Sequence, residues 1–148
     1  MTPLEVVFKD YTITSDKTIM DIHQIHDWLS NHSYWSQNIP FETVKQAFDY
    51  SFCIGAMLQK QQIAFARLVT DYATFGYLAD VFVIESHRGK GIGKIMLSQL
   101  LNQLWVKRLR RIMLATLDAH DLYKMHGFLH TAFPERFMEI NRPNIYRS

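Results

Sequence analysis

The chain has 148 residues, of which 48% are hydrophobic and 20% charged, and its formal net charge is +2. This length predicts a single domain over residues 1–148, and the mild charge argues against nucleic acid as a partner. No stretch approaches the ~20 apolar residues of a membrane span, and the first residues, MTPLEVVFKD, lack the pattern of a secretory signal. We therefore expect a cytoplasmic protein with no membrane partner.

The first third of the chain contains the patterns of one strand and two helices. YTITSD, residues 11–16, is rich in β-branched side chains and predicts a strand. Apolar residues recur at helical spacing from Lys17 to Asn31, which predicts an amphipathic helix. NHSYWSQNIP predicts a loop, and Pro40 suits the start of a second helix that we expect to end near Tyr50.

Three extended segments follow: SFCIGAML, QIAFARLV and TFGYLADVFVI. Their short polar connections predict an antiparallel meander. Cys53, the only cysteine, lies in the first and apolar segment. We therefore expect a buried small hydrophobe rather than a reactive thiol.

The rest of the chain alternates between helical and extended patterns. After HRGKGIGKIM, apolar residues four apart predict a helix to about Leu104. RIMLATL, residues 111–117, predicts a strand, and DAHDLYKMHGF a short helix ended by Gly127. RFMEI, residues 136–140, predicts a late strand. A meander followed by strands joined through helices predicts an α/β class with a mixed sheet.

Three glycines, Gly89, Gly91 and Gly93, lie between a predicted strand and a predicted helix. A helix N-terminus attracts phosphate, and glycines allow the backbone to approach an anion closely. The spacing is neither that of a Walker loop nor the dinucleotide fingerprint. Two alternatives stay open: a strand-to-helix turn without a ligand, and a phosphate site for another nucleotide.

Arg88, Gly91 and Gly93 match the pattern Arg-x-x-Gly-x-Gly, which resembles the acyl-CoA signature of the GNAT superfamily of N-acetyltransferases. DLYKMHGF resembles the family's Leu-Tyr-x-x-x-Gly-Phe segment, and the predicted elements follow the family's order. YLADVFVIESHRGKGIG is most similar to diamine acetyltransferases. The resemblance implies the acyl-CoA N-acyltransferase fold, with a central, mostly antiparallel sheet that contains a splayed parallel pair and is flanked by helices.

The same resemblance implies acetyl-CoA as co-substrate, and the residues themselves predict no metal site. The amides from Gly89 to Lys94 are expected to hold the pyrophosphate. The strand ending at Val83 is expected to lie beside the pantetheine arm, where its main chain polarises the thioester carbonyl. The expected coenzyme-binding residues are Val81, Phe82, Val83, Arg88, Gly89, Lys90, Gly91, Ile92, Gly93 and Lys94.

Acetyl transfer to an amine requires a neutral amine and a proton for the departing thiolate. Tyr123 matches the family's tyrosine, so we expect it to supply that proton. Diamine acetyltransferases have Leu-Glu-Asp where this chain has Leu-Ala-Asp, so their glutamate is absent and Asp80 is the remaining candidate for base or amine anchor. Regular alternation places Asp80 on the opposite face of the strand from Tyr77, Val81 and Val83. In the alternative, Asp80 has only a structural role, and the amine either loses its proton to water or binds already deprotonated.

The acceptor pocket of this family is built from the first helices, their loop and the meander. Its candidate residues here are Tyr34, Trp35, Asp71, Tyr72, Phe75 and Tyr77, because aromatic faces with a carboxylate suit an amine head. An aromatic patch of this kind also occurs in a core or a dimer interface. His23 and His26 lie three apart, but no third metal ligand accompanies them, so we expect exposed helix-face histidines.

The resemblance predicts an enzyme that transfers the acetyl group of acetyl-CoA to a primary amine of a small molecule or peptide, by direct transfer in a ternary complex. The alternative is a catalytically weak acyl-CoA-binding sensor with the same fold. Members of the family often form dimers, so a homodimer is also among the expected partners.

Overall fold

The structure, a computed structural model, describes residues 2–147. Its centre is a sheet of six strands that follow one another in chain order. Neighbouring strands are antiparallel except the last two, which are parallel. The strands are β1 (Glu5–Phe8), β2 (Tyr11–Thr14), β3 (Phe52–Leu58), β4 (Gln61–Thr70), β5 (Phe75–Val83) and β6 (Arg111–Met113). This confirms the expected mixed sheet with its parallel pair.

Helices cover both faces of the sheet and create two apolar cores. One face packs against α1 (Ile22–His32) and α2 (Phe41–Asp49), and the opposite face against α3 (Ile92–Leu101). The α1/α2 core contains Phe65 and Phe82, whereas the α3 core contains Leu78 and Met96. The remaining helices are α4 (Leu104–Lys107), α5 (His120–Lys124) and short 3-10 turns at Lys17–Ile19, Glu85–His87 and Pro134–Arg136. No helix within residues 2–147 is long and apolar enough to cross a membrane.

Several element boundaries differ from the sequence prediction. β1 was not expected. The helix expected from Lys17 is divided into a 3-10 turn at Lys17–Ile19 and α1, because the Asp21 side chain accepts hydrogen bonds from the amides of His23 and Gln24 and so caps the start of α1. The third predicted helix ends at Leu101 rather than near residue 104. These differences leave the order of the predicted elements before the last segment unchanged.

The late strand predicted at residues 136–140 is wrong. Pro134, whose φ angle is fixed, begins a 3-10 turn that ends at Arg136, and residues 137–147 pair with no strand. The Arg136 guanidinium lies 3.8 Å from the Phe133 ring centroid, and that of Arg111 lies 5.1 Å from the Phe137 ring centroid. These residues therefore stack as side chains instead of extending the sheet.

A β-bulge interrupts β5 at Asp80. Phe65 pairs with Phe82 and Arg67 pairs with Ala79, so Asp80 and Val81 together oppose one residue of β4. Asp80 has a φ of 56°, and its carboxylate contacts Arg67. The expected alternation is therefore wrong for Tyr77, because the extra residue places Tyr77 and Asp80 together on the α1/α2 face. Val81 and Val83 contact the α3 core, on the opposite face from Asp80, as expected.

Candidate active site

The two parallel strands separate partway along β5. Pairing with β6 ends at Tyr77 and Met113, whereas β5 continues to Val83 with its β6-facing edge unpaired. A cavity of about 310 Å³, here called the strand-gap cavity, opens at this point. It is lined by the loop after α1, parts of β4 and β5, the loop after β6, and α5: Tyr34, Trp35, Ser36, Arg67, Tyr77, Leu78, Ala79, Asp80, Val81, Ala115, Thr116, Asp118, Ala119 and Tyr123.

Asp80 is held by two donors in this cavity. Its Oδ1 accepts a hydrogen bond of 2.8 Å from the indole Nε1 of Trp35, and its Oδ2 lies 2.9 Å from Nε of Arg67. The side chains of this ion pair are only 18% and 11% exposed. Arg67 also donates to Ser51 Oγ. The carboxylate therefore fixes the orientation of both Trp35 and Arg67.

Tyr123 projects from α5 into the strand-gap cavity and also lines a second cavity of about 300 Å³, which residues of β6 and residues 128–131 line as well. Burial raises the pKa of its phenol to about 12, and the neighbouring Tyr34 and Asp118 contribute to that rise. Leu117 N–H donates to the Tyr34 hydroxyl across 3.2 Å. Tyr123 is consequently a protonated hydroxyl at neutral pH, which can donate a proton.

The loop before α3 presents unused backbone donors. Within residues 2–147, the amides of residues 89–94 have no hydrogen-bond acceptor, and the first bond of α3 runs from Ile95 N–H to Gly91 O. Gly91 has a φ of 86° and Gly89 a φ of 77°, angles that side chains other than glycine rarely adopt. A Cβ placed on Gly89 would meet no atom within 4 Å. Open space in front of unpaired amides at a helix N-terminus fits a pyrophosphate.

Basic side chains close this loop from two directions. Arg88 Nε donates to the carbonyl oxygen of Val83 at 2.9 Å, which ties the loop to the end of β5. Lys9 Nζ donates to Lys90 O at 2.9 Å and brings to the loop a cation that is far from it in the sequence. The loop is therefore held in place by contacts that leave its amides available.

The structure brings together only some of the expected acceptor residues. Tyr34, Trp35 and Tyr77 line the strand-gap cavity, whereas Asp71, Tyr72 and Phe75 do not. Asp71 accepts bonds from the backbone of residues 73–75, and the Tyr72 ring packs against Trp105 at 4.8 Å. Hydrogen bonding holds the pKa of the Asp71 carboxyl well below its usual range. The last three residues thus support a turn at the far end of β5.

Two charged lining residues were missed from the sequence, Arg67 and Asp118. Arg67 is a charged residue inside an apolar strand pattern, which was a usable signal. Asp118 lies in a loop without periodicity, so no pattern singled it out.

Cys53 and the first-helix histidines behave as structural residues. Burial raises the pKa of the Cys53 thiol to about 12. The His23 ring stacks on Phe41 with centroids 4.7 Å apart, and His26 Nε2 lies 2.9 Å from the Ile39 carbonyl oxygen. Among residues 2–147, no three His, Cys, Asp or Glu side chains are grouped closely enough to hold a metal ion.

A known family combines a glycine loop before a helix, a splayed strand pair and a tyrosine facing the gap. Residues 22–128 match the profile described as the acetyltransferase (GNAT) family. The chain belongs to the GNAT family of acetyltransferases. A candidate acetyltransferase of Gibberella zeae is 31% identical, with 80% of this chain and 76% of that protein aligned.

Solved structures support the same assignment. A candidate GNAT-family acetyltransferase from Xanthomonas campestris pv. campestris is 39% identical and superposes with a TM-score of 0.92, covering 96% of this chain and 100% of its own. An acetyltransferase from Clostridium acetobutylicum, solved with acetyl-CoA, has a TM-score of 0.59 at 19% identity, covering 88% and 94% of the two chains. The second likeness concerns the fold alone.

Proposed function

We propose that this GNAT protein transfers the acetyl group of acetyl-CoA to a primary amine of a small molecule or peptide, by direct transfer in a ternary complex. The observation that carries the proposal is the strand-gap cavity, where Tyr123 and the unpaired edge of β5 face the same space. The amides of residues 89–94 bind the pyrophosphate, with charge from Arg88, Lys90 and Lys94. The cytoplasmic location stays a prediction.

The residues around the cavity divide the chemical work. The β5 main chain from Val81 to Val83 holds the thioester, because a backbone N–H on its free edge stabilises the charge that develops on the carbonyl oxygen. The amine nitrogen bonds to the carbonyl carbon, the carbon–sulfur bond breaks, and the Tyr123 phenol proton goes to the sulfur. The proton that the amine loses goes to water, from which Tyr123 regains its own.

Asp80 stays a candidate in this scheme, and its bonds favour a positioning role over that of proton acceptor. Both carboxylate oxygens already accept a hydrogen bond, from Trp35 and from Arg67. Trp35, Tyr34 and Tyr77 then offer aromatic surface to the body of the amine. A diamine is one acceptor to test, given the likeness of the glycine-loop stretch to diamine acetyltransferases.

The test is thiol release from acetyl-CoA with a panel of primary monoamines, diamines and peptides. We expect Tyr123→Phe to lower the rate by about 10²- to 10⁴-fold, the usual contribution of a positioned acid, and to leave acetyl-CoA binding intact. Tyr50→Phe is the matched control, because Tyr50 is 80% exposed and lies outside the cavity.

Each outcome has a distinct meaning. An unchanged rate in Tyr123→Phe refutes the role of the tyrosine. If acetyl-CoA raises the melting temperature but no amine of the panel is acetylated, the proposed enzymatic activity is refuted and the acyl-CoA-binding sensor is favoured. Coenzyme A that gives no protection, while ATP does, points to another nucleotide.

A further inference from the structure

The strand-gap cavity contains one carboxylate without a protein partner, Asp118. The cavity's other charged residues, Arg67 and Asp80, are paired with each other. Within the part of the chain that the structure describes, Asp118 forms neither an ion pair nor a side-chain hydrogen bond. The charge of the cavity lining is therefore one negative unit, and it is located at Asp118.

A structural role at the start of α5 does not explain this aspartate. An aspartate beside a helix N-terminus commonly accepts a bond from a backbone amide of the first turn. Here the helix has no such cap, and the Ala119 amide donates instead to Thr116 Oγ1 at 3.0 Å. Thr116 thus organises the turn, and the Asp118 carboxylate is left facing the cavity.

The surroundings of Asp118 match an alkylammonium group. The Asp118 carboxylate is close enough to Tyr123 to influence its phenol electrostatically. Tyr34, Trp35 and Tyr77 line the same cavity. A carboxylate binds an ammonium through charge-assisted hydrogen bonds, while aromatic rings accept its hydrocarbon part.

We infer that Asp118 is the ammonium-binding group of the acceptor site, and that the acceptor is a cationic alkylamine whose nitrogen is held beside Tyr123. Before the nitrogen attacks the thioester, the bound ammonium gives one proton to water, so that the nucleophile is the neutral amine. The role of Asp118 in the reaction rests on the proposed function, but its binding of an ammonium does not. An ammonium can bind wherever the cavity and the negative charge of Asp118 are present. Asp118 therefore determines substrate specificity, and Asp80 holds the Trp35 ring in place through its hydrogen bond to the indole N–H.

The experiment measures binding without turnover. The ¹⁵N-labelled protein, saturated with coenzyme A, is titrated with n-butylammonium chloride while the Trp35 indole N–H signal, assigned with Trp35→Phe, is followed. Replacing a charge-assisted hydrogen bond by a neutral one lowers the binding affinity by about tenfold or more. We expect Asp118→Asn to weaken binding by about that factor and Asp118→Glu to retain most of it.

Asp121→Asn is the matched control, because Asp121 lies on α5 and outside the cavity lining; it should bind like the parent. n-Butanol, which is neutral, should not displace the ammonium. The inference is overturned by a parent that does not bind n-butylammonium, or by Asp118→Asn binding it as tightly as the parent. Failure of thiol release in a parent that binds the ammonium overturns the proposed reaction and leaves this site standing.

Discussion

Replacing Gly93 by alanine separates the folding role of the glycine loop from its binding role. Unlike Gly89 and Gly91, Gly93 does not have a positive φ. An added Cβ would lie 3.7 Å from Val83 Cγ2, an ordinary van der Waals contact that requires no displacement. The new methyl group would, however, stand on the loop whose amides, from residue 89 to residue 94, are proposed to bind the pyrophosphate.

The stability effect follows from helix propensity. Alanine in a helix is more favourable than glycine by roughly 0.5–1 kcal/mol. For a protein of this size, 1 kcal/mol corresponds to about 2–4 °C in melting temperature. Gly93→Ala should therefore melt about 1–4 °C higher than the parent in the absence of ligand.

The binding effect has the opposite sign. A tenfold weaker acetyl-CoA affinity removes about 1.4 kcal/mol of ligand stabilisation at saturation, or roughly 3–6 °C of the ligand-induced rise. Differential scanning calorimetry with and without acetyl-CoA measures both effects in one sample. Gly89→Ala is the comparison: its positive φ costs about 1–2 kcal/mol while its Cβ lies in open space, so its unliganded melting temperature should fall. Lower unliganded stability in Gly93→Ala, or an undiminished acetyl-CoA shift, refutes this reasoning.

Three further outcomes are expected. Trp35→Phe removes the N–H that donates to Asp80. Because Trp35 is partly exposed, the free energy of unfolding measured by urea denaturation should fall by about 1 kcal/mol; no change means that the bond does not stabilise the fold. Cys53 should not react with a disulfide reagent at pH 8 until guanidinium unfolds the chain, since its pKa is about 12; native-state labelling contradicts this. The pKa of the Asp71 carboxyl is lowered in the folded protein, so the ionised carboxylate stabilises the fold at pH values above its ordinary pKa of 3.8, and this stabilisation is lost as the pH falls. From about pH 5 downward, the parent should therefore lose stability more steeply than Asp71→Asn. Parallel acid-unfolding curves argue against that role.

Local patterns identified the elements that bury a continuous apolar face. β3 to β5, α1 and α3 were predicted because their side chains repeat with the period of the element and meet a core. β1 is short and lies at the sheet edge, so its pattern is weak. Residues 136–140 have strand propensity but find no partner, and propensity without pairing does not form a strand.

The candidate site was predictable where it depends on backbone geometry and not where it depends on register. Gly89 and Gly91 mark positive φ angles that the sequence indicates directly. The orientation of Asp80 depends on one inserted residue in β5, which becomes visible only once β4 is paired against it. Asp118 lies in a loop, so its place in the cavity follows from how β6 and α5 come together.

The hydrogen bond between Leu117 and Tyr34 joins two loops that are far apart in the chain. Both loops contribute to the acceptor side of the strand-gap cavity, while the glycine loop lies outside it. The donor is a backbone amide that any residue except proline supplies, whereas the acceptor is the Tyr34 hydroxyl. A loop grafted after α1 to change the acceptor must therefore keep a tyrosine at position 34, or the Leu117 amide loses its partner.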